Sequence, residues 1–140
     1  MTGWLGKFEK ALSASDTASL QALFLPDAHW RDLLAFTWQV KTVSGSPRII
    51  KELTGHAVGA RGFEIDHRRT PPRRVTRAGT SVIEAIFRFE TPTSRAHGVL
   101  RLLPEGEAGK CWTLLTALDE IKGFEESVES RRPRGEGRDP

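Results

Sequence analysis

The sequence predicts an α+β domain, with helices gathered in the first half and antiparallel strands filling the second. Three observations carry that expectation. Trp4, Leu5, Phe8 and Leu12 recur at helical spacing and form one apolar stripe. Gly45-Ser46-Pro47 opens a further helix in which Ile49, Ile50 and Leu53 share a face. From residue 80 the period changes to two: Ile83, Ala85, Phe87 and Phe89 occupy one side of a strand, and Glu84, Arg88 and Glu90 the other. Helices set beside a run of antiparallel strands make an α+β fold.

Each element has its own signal. The first 25 residues read as two short helices. Asp16 caps the second, which holds Leu20, Leu23 and Phe24 and is closed by Pro26. Short strands rich in Trp, Thr and Val follow at 28–32 and 37–43. Ser46 is the expected N-cap of the third helix, Pro47 its first turn and Gly55 its end. Strands at 61–69, 80–91, 95–103 and 110–121 complete the set. Thr91-Pro92-Thr93-Ser94 makes one turn, and residues 104–109, with two glycines, make a hairpin loop. The domain is expected over residues 1–124. In 125–140 only Val128 is large and apolar, among four arginines and five acids, so a polar flexible tail or linker remnant is expected there.

Composition excludes several classes. The 140 residues carry 21 Lys+Arg against 18 Asp+Glu, a net charge of only +3. A single cysteine rules out an internal disulfide framework. The histidines at 29, 56, 67 and 97 are too dispersed for a zinc site, so no metal is expected. No basic start precedes an apolar stretch, and no apolar run exceeds four residues, so a cytoplasmic protein with no membrane span is expected. Arg61, Arg68, Arg69, Arg73, Arg74 and Arg77 face only Glu64 and Asp66, a local excess of +4. Such a cluster attracts anions. No aromatic residue interleaves the arginines as a single-strand stacking platform needs, which weighs against nucleic acid.

Motifs for cofactors are missing. Gly106-Glu107-Ala108-Gly109-Lys110-Cys111 is too short for a phosphate loop, and Cys replaces Ser/Thr. Gly55, Gly59 and Gly62 neither follow a strand nor open a helix, so no dinucleotide fingerprint exists and no cofactor is expected. Cys111, in an apolar strand beside Trp112, reads as a packed thiol. The chemistry-bearing candidates centre on His29-Trp30-Arg31-Asp32 and Trp38. An Asp walled by tryptophans is a candidate general base, or else the carboxylate that closes its strand; Arg31 points the other way. Asp66 and His67 likewise face apart, and His97 is a candidate partner or a hydrogen-bonded rim residue.

Two tryptophan-bearing stretches, Trp30-Arg31-Asp32-Leu33-Leu34-Ala35-Phe36-Thr37-Trp38 and Trp112-Thr113-Leu114-Leu115-Thr116-Ala117-Leu118-Asp119-Glu120, carry a resemblance to a known family. With Thr42-Val43-Ser44-Gly45, Lys122-Gly123-Phe124 and Arg132-Pro133, they resemble the nuclear transport factor 2-like domain that precedes the flavin module in a group of flavin-dependent monooxygenases. The resemblance implies a cone: a curved, mostly antiparallel sheet wrapped round a helix to enclose a pocket. It also implies a homodimer formed through the outer sheet face, with a flavoprotein monooxygenase module or a small apolar molecule as a partner. Trp30, Trp38, His67, Trp112 and Thr116 are the expected pocket residues. Asp27-Ala28-His29-Trp30-Arg31-Asp32 further resembles the stretch that ends in the general base of ketosteroid isomerases, with Asp32 at the base position. Those isomerases use a tyrosine as oxyanion donor and this chain has none. The enzyme reading is a dehydratase, cyclase, isomerase or hydrolase with Asp32 as base and His97 or His67 assisting. The reading it competes with is a ligand-binding or association domain.

Overall fold

In the computed structural model, residues 2–69, 71–103 and 109–123 are described. Helix α1 (Thr2–Ser13) buries the stripe of Trp4, Leu5, Phe8 and Leu12. Asp16 caps α2 (Thr17–Leu23), accepting from the Ser19 N–H at 3.1 Å and the Ser19 hydroxyl at 2.6 Å. These bonds to the ionised form hold its carboxyl below the ordinary value. Strand β1 (Phe24–Leu33) and strand β2 (Val40–Ser44) form a hairpin, and α3 (Ser46–His56) returns across them. Strands β3 (Arg61–Ile65), β4 (Arg73–Arg77), β5 (Thr80–Glu90), β6 (Ser94–Leu102) and β7 (Cys111–Ile121) complete one seven-stranded sheet.

The spatial order is β2-β1-β7-β6-β5-β3, with β4 also paired to β5. Among the described residues only the β1–β7 pair is parallel. Three helices lie on one face of this curved, unclosed sheet, as the sequence predicts. Aromatic rings fill the space beneath them. Trp30 meets Phe36 at 6.0 Å between centroids, Phe36 meets Phe89 at 5.2 Å, and Phe89 stacks on Phe63 at 4.8 Å. The chain of rings continues through Phe8 at 5.3 Å to Trp4 at 4.9 Å. Each such pair adds about 1 kcal/mol to what burial of the rings contributes. Glu9 on α1 fastens the helix to the sheet by accepting from the Phe63 N–H at 2.9 Å.

Several boundaries differ from expectation. Pro26 lies inside β1, not at the end of α2, at the place where the β1–β7 register shifts and a ladder donor is dispensable. Gly45, at φ +88°, is the N-cap of α3; Ser46 makes no capping bond and accepts from Gln21 Nε2 at 3.0 Å. Gly55 sits within α3, which runs to His56. Residues 37–39 belong to a loop, and β4 is a strand the sequence did not announce. The polar segment at 125–140 and residues 104–108 of the hairpin loop lie outside the described residues.

Candidate functional site

Strand register decides which candidates can meet. Asp32 pairs with Thr116 on β7, which pairs with Gly98 on β6, which pairs with Phe87 on β5. All four therefore face inward, beneath the helices. Their sequence neighbours Arg31, Leu115, Ala117 and His97 face outward. Asp32 and His97 thus stand on opposite sides of the sheet and do not form one site.

Asp32 is fully buried and its carboxylate is occupied. Oδ1 accepts from the Thr116 hydroxyl at 2.6 Å. Oδ2 accepts from the Thr37 N–H at 2.7 Å, the Thr37 hydroxyl at 2.9 Å and the Phe36 N–H at 3.0 Å. Thr116 Oγ1 in turn accepts from Trp30 Nε1 at 2.9 Å. Every bond to the carboxylate comes from a neutral donor, and among the described residues no counter-charge touches it. Two of these donors are backbone groups of the loop between β1 and β2, where Leu34 (φ +71°) and Trp38 (φ +59°) hold left-handed conformations. Each such residue costs roughly 1–2 kcal/mol. Asp32 and the burial of Phe36 offset that strain. The loop turns Phe36 into the core and leaves Trp38 half exposed, at 51%.

The remaining expected pocket residues scatter. Trp30 and Thr116 are buried in the core face with Asp32. His67 is exposed after β3, beside the buried Asp66. Trp112 is half-buried near the start of β7, four residues of strand from Thr116. Trp38 lies on the loop surface. Trp30 and Thr116 alone share a cluster with Asp32. Cys111 is buried and burial pushes its thiol up, consistent with an unreactive side chain.

The outward face has a different character. His97 Nδ1 lies 2.6 Å from Asp119 Oδ1. Arg88 is bonded to Glu64, and Arg101 donates to Glu84 at 2.7 Å. Between these pairs run Leu33, Ile86, Val99 and Leu115, all half-buried, and Ala117. The described helices lie on the other side. Leu34 and Val40, 41% and 63% exposed, extend the strip to the β1–β2 tip.

The arginine cluster is largely paired within the chain. Glu84 is met by Arg101 at 2.7 Å, Arg77 at 3.2 Å and Arg73 at 3.6 Å. Burial pushes the Glu84 carboxyl up, but the bonds and charges of Arg101 and Arg77 outweigh it and hold it below the usual range. Asp66 behaves alike: burial raises it, and Arg68 and Arg69 bring it down. A carboxylate lowered in the folded state stabilises above its unfolded value and loses that contribution as pH falls through the folded one. Glu84→Gln is accordingly expected to cost roughly 1 kcal/mol at pH 7. The difference from wild type should close as pH falls below about 4.5, the ordinary Glu value. Urea unfolding at pH 7 and pH 3 checks this; an equal loss at both would contradict it.

Among the described residues no group of three His, Cys, Asp or Glu side chains is placed to hold a metal ion, and no helix is long and apolar enough to cross a membrane. Two clefts stand out. One, of about 770 Å³, lies between α1, α2 and the base of the β6–β7 hairpin. The other, of about 570 Å³, is lined by charges of both signs, including Arg68, Arg88, Asp66 and Asp119.

No family model matches the chain, and no curated protein matches it. Solved structures do. A domain of unknown function with a cystatin-like fold from Nostoc punctiforme PCC 73102 superposes with a TM-score of 0.60 at 12% identity, over 92% of this chain and 81% of that one. A nuclear transport factor 2-like superfamily protein from Salmonella enterica serovar Typhimurium gives a TM-score of 0.57 at 13% identity, over 89% and 92%. A nuclear transport factor 2-like protein of unknown function from Cytophaga hutchinsonii gives 0.51 at 13%, over 83% and 87%. The fold is the nuclear transport factor 2-like cone. Identities this low carry the fold and no chemistry.

Proposed function

We propose that this chain is an association domain that forms a homodimer through the outward face of its sheet. The observation that carries the reading is the contrast between the two faces. Inside, where a cone would hold a substrate, rings from Trp30 to Trp4 fill the space and Asp32 is bonded to the loop it closes. Outside, an apolar strip of Leu33, Ile86, Val99, Leu115 and Ala117 has no described helix over it. A two-fold contact sets a patch against itself, so unpaired like charges beside the axis would repel. Here Arg101, Arg88 and His97 each have an acid in the same chain, while Arg31, in register with Leu115, has none among the described residues. That pairing supports self-association.

The resemblance in the two tryptophan-bearing stretches supports a finer version. In it the domain acts as the accessory N-terminal part of a flavin-dependent monooxygenase, with the flavin supplied by another module. The enzyme reading, with Asp32 as base, requires the carboxylate to release Phe36 and Thr37 before it can take a proton. No histidine is bonded to it: His97 and His29 face outward, His67 is on the surface, and His56, at the exposed end of α3, lies against Glu52.

Sedimentation across a concentration series tests the dimer. The wild type should sediment at twice 15.6 kDa. Leu115→Glu, which sets a charge in mid-strip, should weaken the dimer by a hundredfold or more, since a central hot-spot contact is worth about 2 kcal/mol or more and an unpaired buried charge adds to it. A monomeric wild type at every concentration, or a dimer untouched by Leu115→Glu, would overturn the reading.

A further inference from the structure

The 770 Å³ cleft stands apart from both the cone interior and the outward face. It opens between α1 and α2 over the beginning of β7. Lys110 lies six strand residues from Thr116, about 20 Å along β7 from the Asp32 cluster. Its walls divide by chemistry. Trp4, Ala11, Leu23 and Leu102 form an apolar floor, and Lys7, Lys10 and Lys110 stand at the rim. Trp4 Nε1 is already bonded to the Leu23 carbonyl at 3.1 Å, so the floor offers no free indole donor. The one carboxylate among the described lining residues, Asp16, is engaged by Ser19 as the cap of α2. Among the described residues Lys7 and Lys10 have no ion pair. Lys7 and Lys10, against one committed acid among the described lining residues, leave their side of the rim positive over an apolar base.

We propose that this cleft binds an anionic amphiphile, a molecule with a single acidic head and an apolar body, such as a medium-chain carboxylate. Its volume falls within the roughly 300–1,000 Å³ of small-molecule sites. The lysines hold the head as point charges, and the ammonium groups accommodate carboxylate or phosphate equally. The body lies along Trp4, Leu23 and Leu102. The site is independent of the dimer, because its residues come from α1, α2 and the hairpin base and none lies on the outward strip.

Titration of ¹⁵N-labelled protein with decanoate, decyl phosphate and decanol tests the proposal. Decanoate or decyl phosphate should move the amides of Gly3, Lys7, Ala14 and Gly109 together with the Trp4 indole N–H. Whichever acid binds more tightly identifies the head group. Decanol should bind about tenfold more weakly, as should decanoate to the Lys7→Gln/Lys10→Gln variant, the loss expected for one charge-assisted contact. Arg31→Gln, on the outward face, should leave binding unchanged. Equal affinity for decanol, shifts spread over the outward strip, or full affinity in the double lysine variant would overturn the proposal. So would no shift with either acid.

Discussion

Asp32→Ala is expected to destabilise the fold by about 3–5 kcal/mol, because several donors lose their acceptor at once and each one left buried costs about 1–3 kcal/mol. The variant strips acceptors from the Thr116 and Thr37 hydroxyls and from the Phe36 and Thr37 N–H groups. The Thr116 hydroxyl and the Phe36 N–H then remain buried without an acceptor, each with a desolvation cost, and the two half-buried Thr37 donors lose theirs. The loop would also lose what holds Leu34 and Trp38 in left-handed conformations. Against a typical total of about 5–15 kcal/mol, the loss leaves the variant marginal. Urea unfolding followed by tryptophan fluorescence should show a lower midpoint with an unchanged slope. Asp32→Asn, which keeps one acceptor oxygen, should lie between the two. A loss below about 1 kcal/mol, the worth of one ordinary hydrogen bond, would show that the carboxylate does not hold the loop.

Gly98→Ala should be nearly as damaging, for a steric reason. A Cβ at Gly98 would collide with the carbonyl oxygen of Leu115 on the neighbouring strand and with the ring of Phe87. The carbonyl belongs to the β6–β7 ladder and cannot turn away. The ring is fully buried against Phe63 and Phe89. Overpacking of this kind costs about 1–3 kcal/mol, and contact with backbone places this case at the upper end. For a domain of this size that corresponds to a fall in Tm of roughly 10 °C, readable in a thermal melt. Phe87→Leu in the same chain should restore only part of it, because the Leu115 carbonyl stays. Complete rescue would place the whole clash in the ring.

Much of this architecture was legible in the chain. The α1 stripe and the alternation of Ile83, Ala85, Phe87 and Phe89 against Glu84, Arg88 and Glu90 are periodicities set by burial of one face, and the sheet register reproduces them. The parity of Arg31 and Asp32 was equally readable. Strand β4 was not, because five residues containing three arginines after Pro71-Pro72 look like a solvated loop. Its signal was Ala78-Gly79 between Arg77 and Thr80: both residues take positive φ and make a two-residue hairpin turn. Cross-strand partnership with Glu84 then gives Arg73 and Arg77 their place.

The surroundings of Asp32 lay beyond local pattern for two physical reasons. Thr116 is 84 positions away, and its meeting with Asp32 depends on the parallel pairing of β1 with β7. The loop at 34–39 bends back through left-handed residues that no propensity favours at Leu or Trp. Trp38 was accordingly expected as a pocket wall, and the structure sets it on the surface. His97 shows the opposite case. Strand alternation sets it opposite Gly98, but only the β5–β6 and β6–β7 registers show that this is the side away from Phe87 and Asp32.

Native mass spectrometry of the protein purified from cells that naturally make it tests most directly whether the chain associates or catalyses. The expected spectrum shows a dimer of about 31 kDa, twice the 15.6 kDa chain, alone or with a flavoprotein chain attached. Any retained organic acid should survive Asp32→Asn in the fraction that stays folded and be lost from the Lys7→Gln/Lys10→Gln variant. A monomer carrying a small molecule that Asp32→Asn releases would contradict the account and make Asp32 part of a working site.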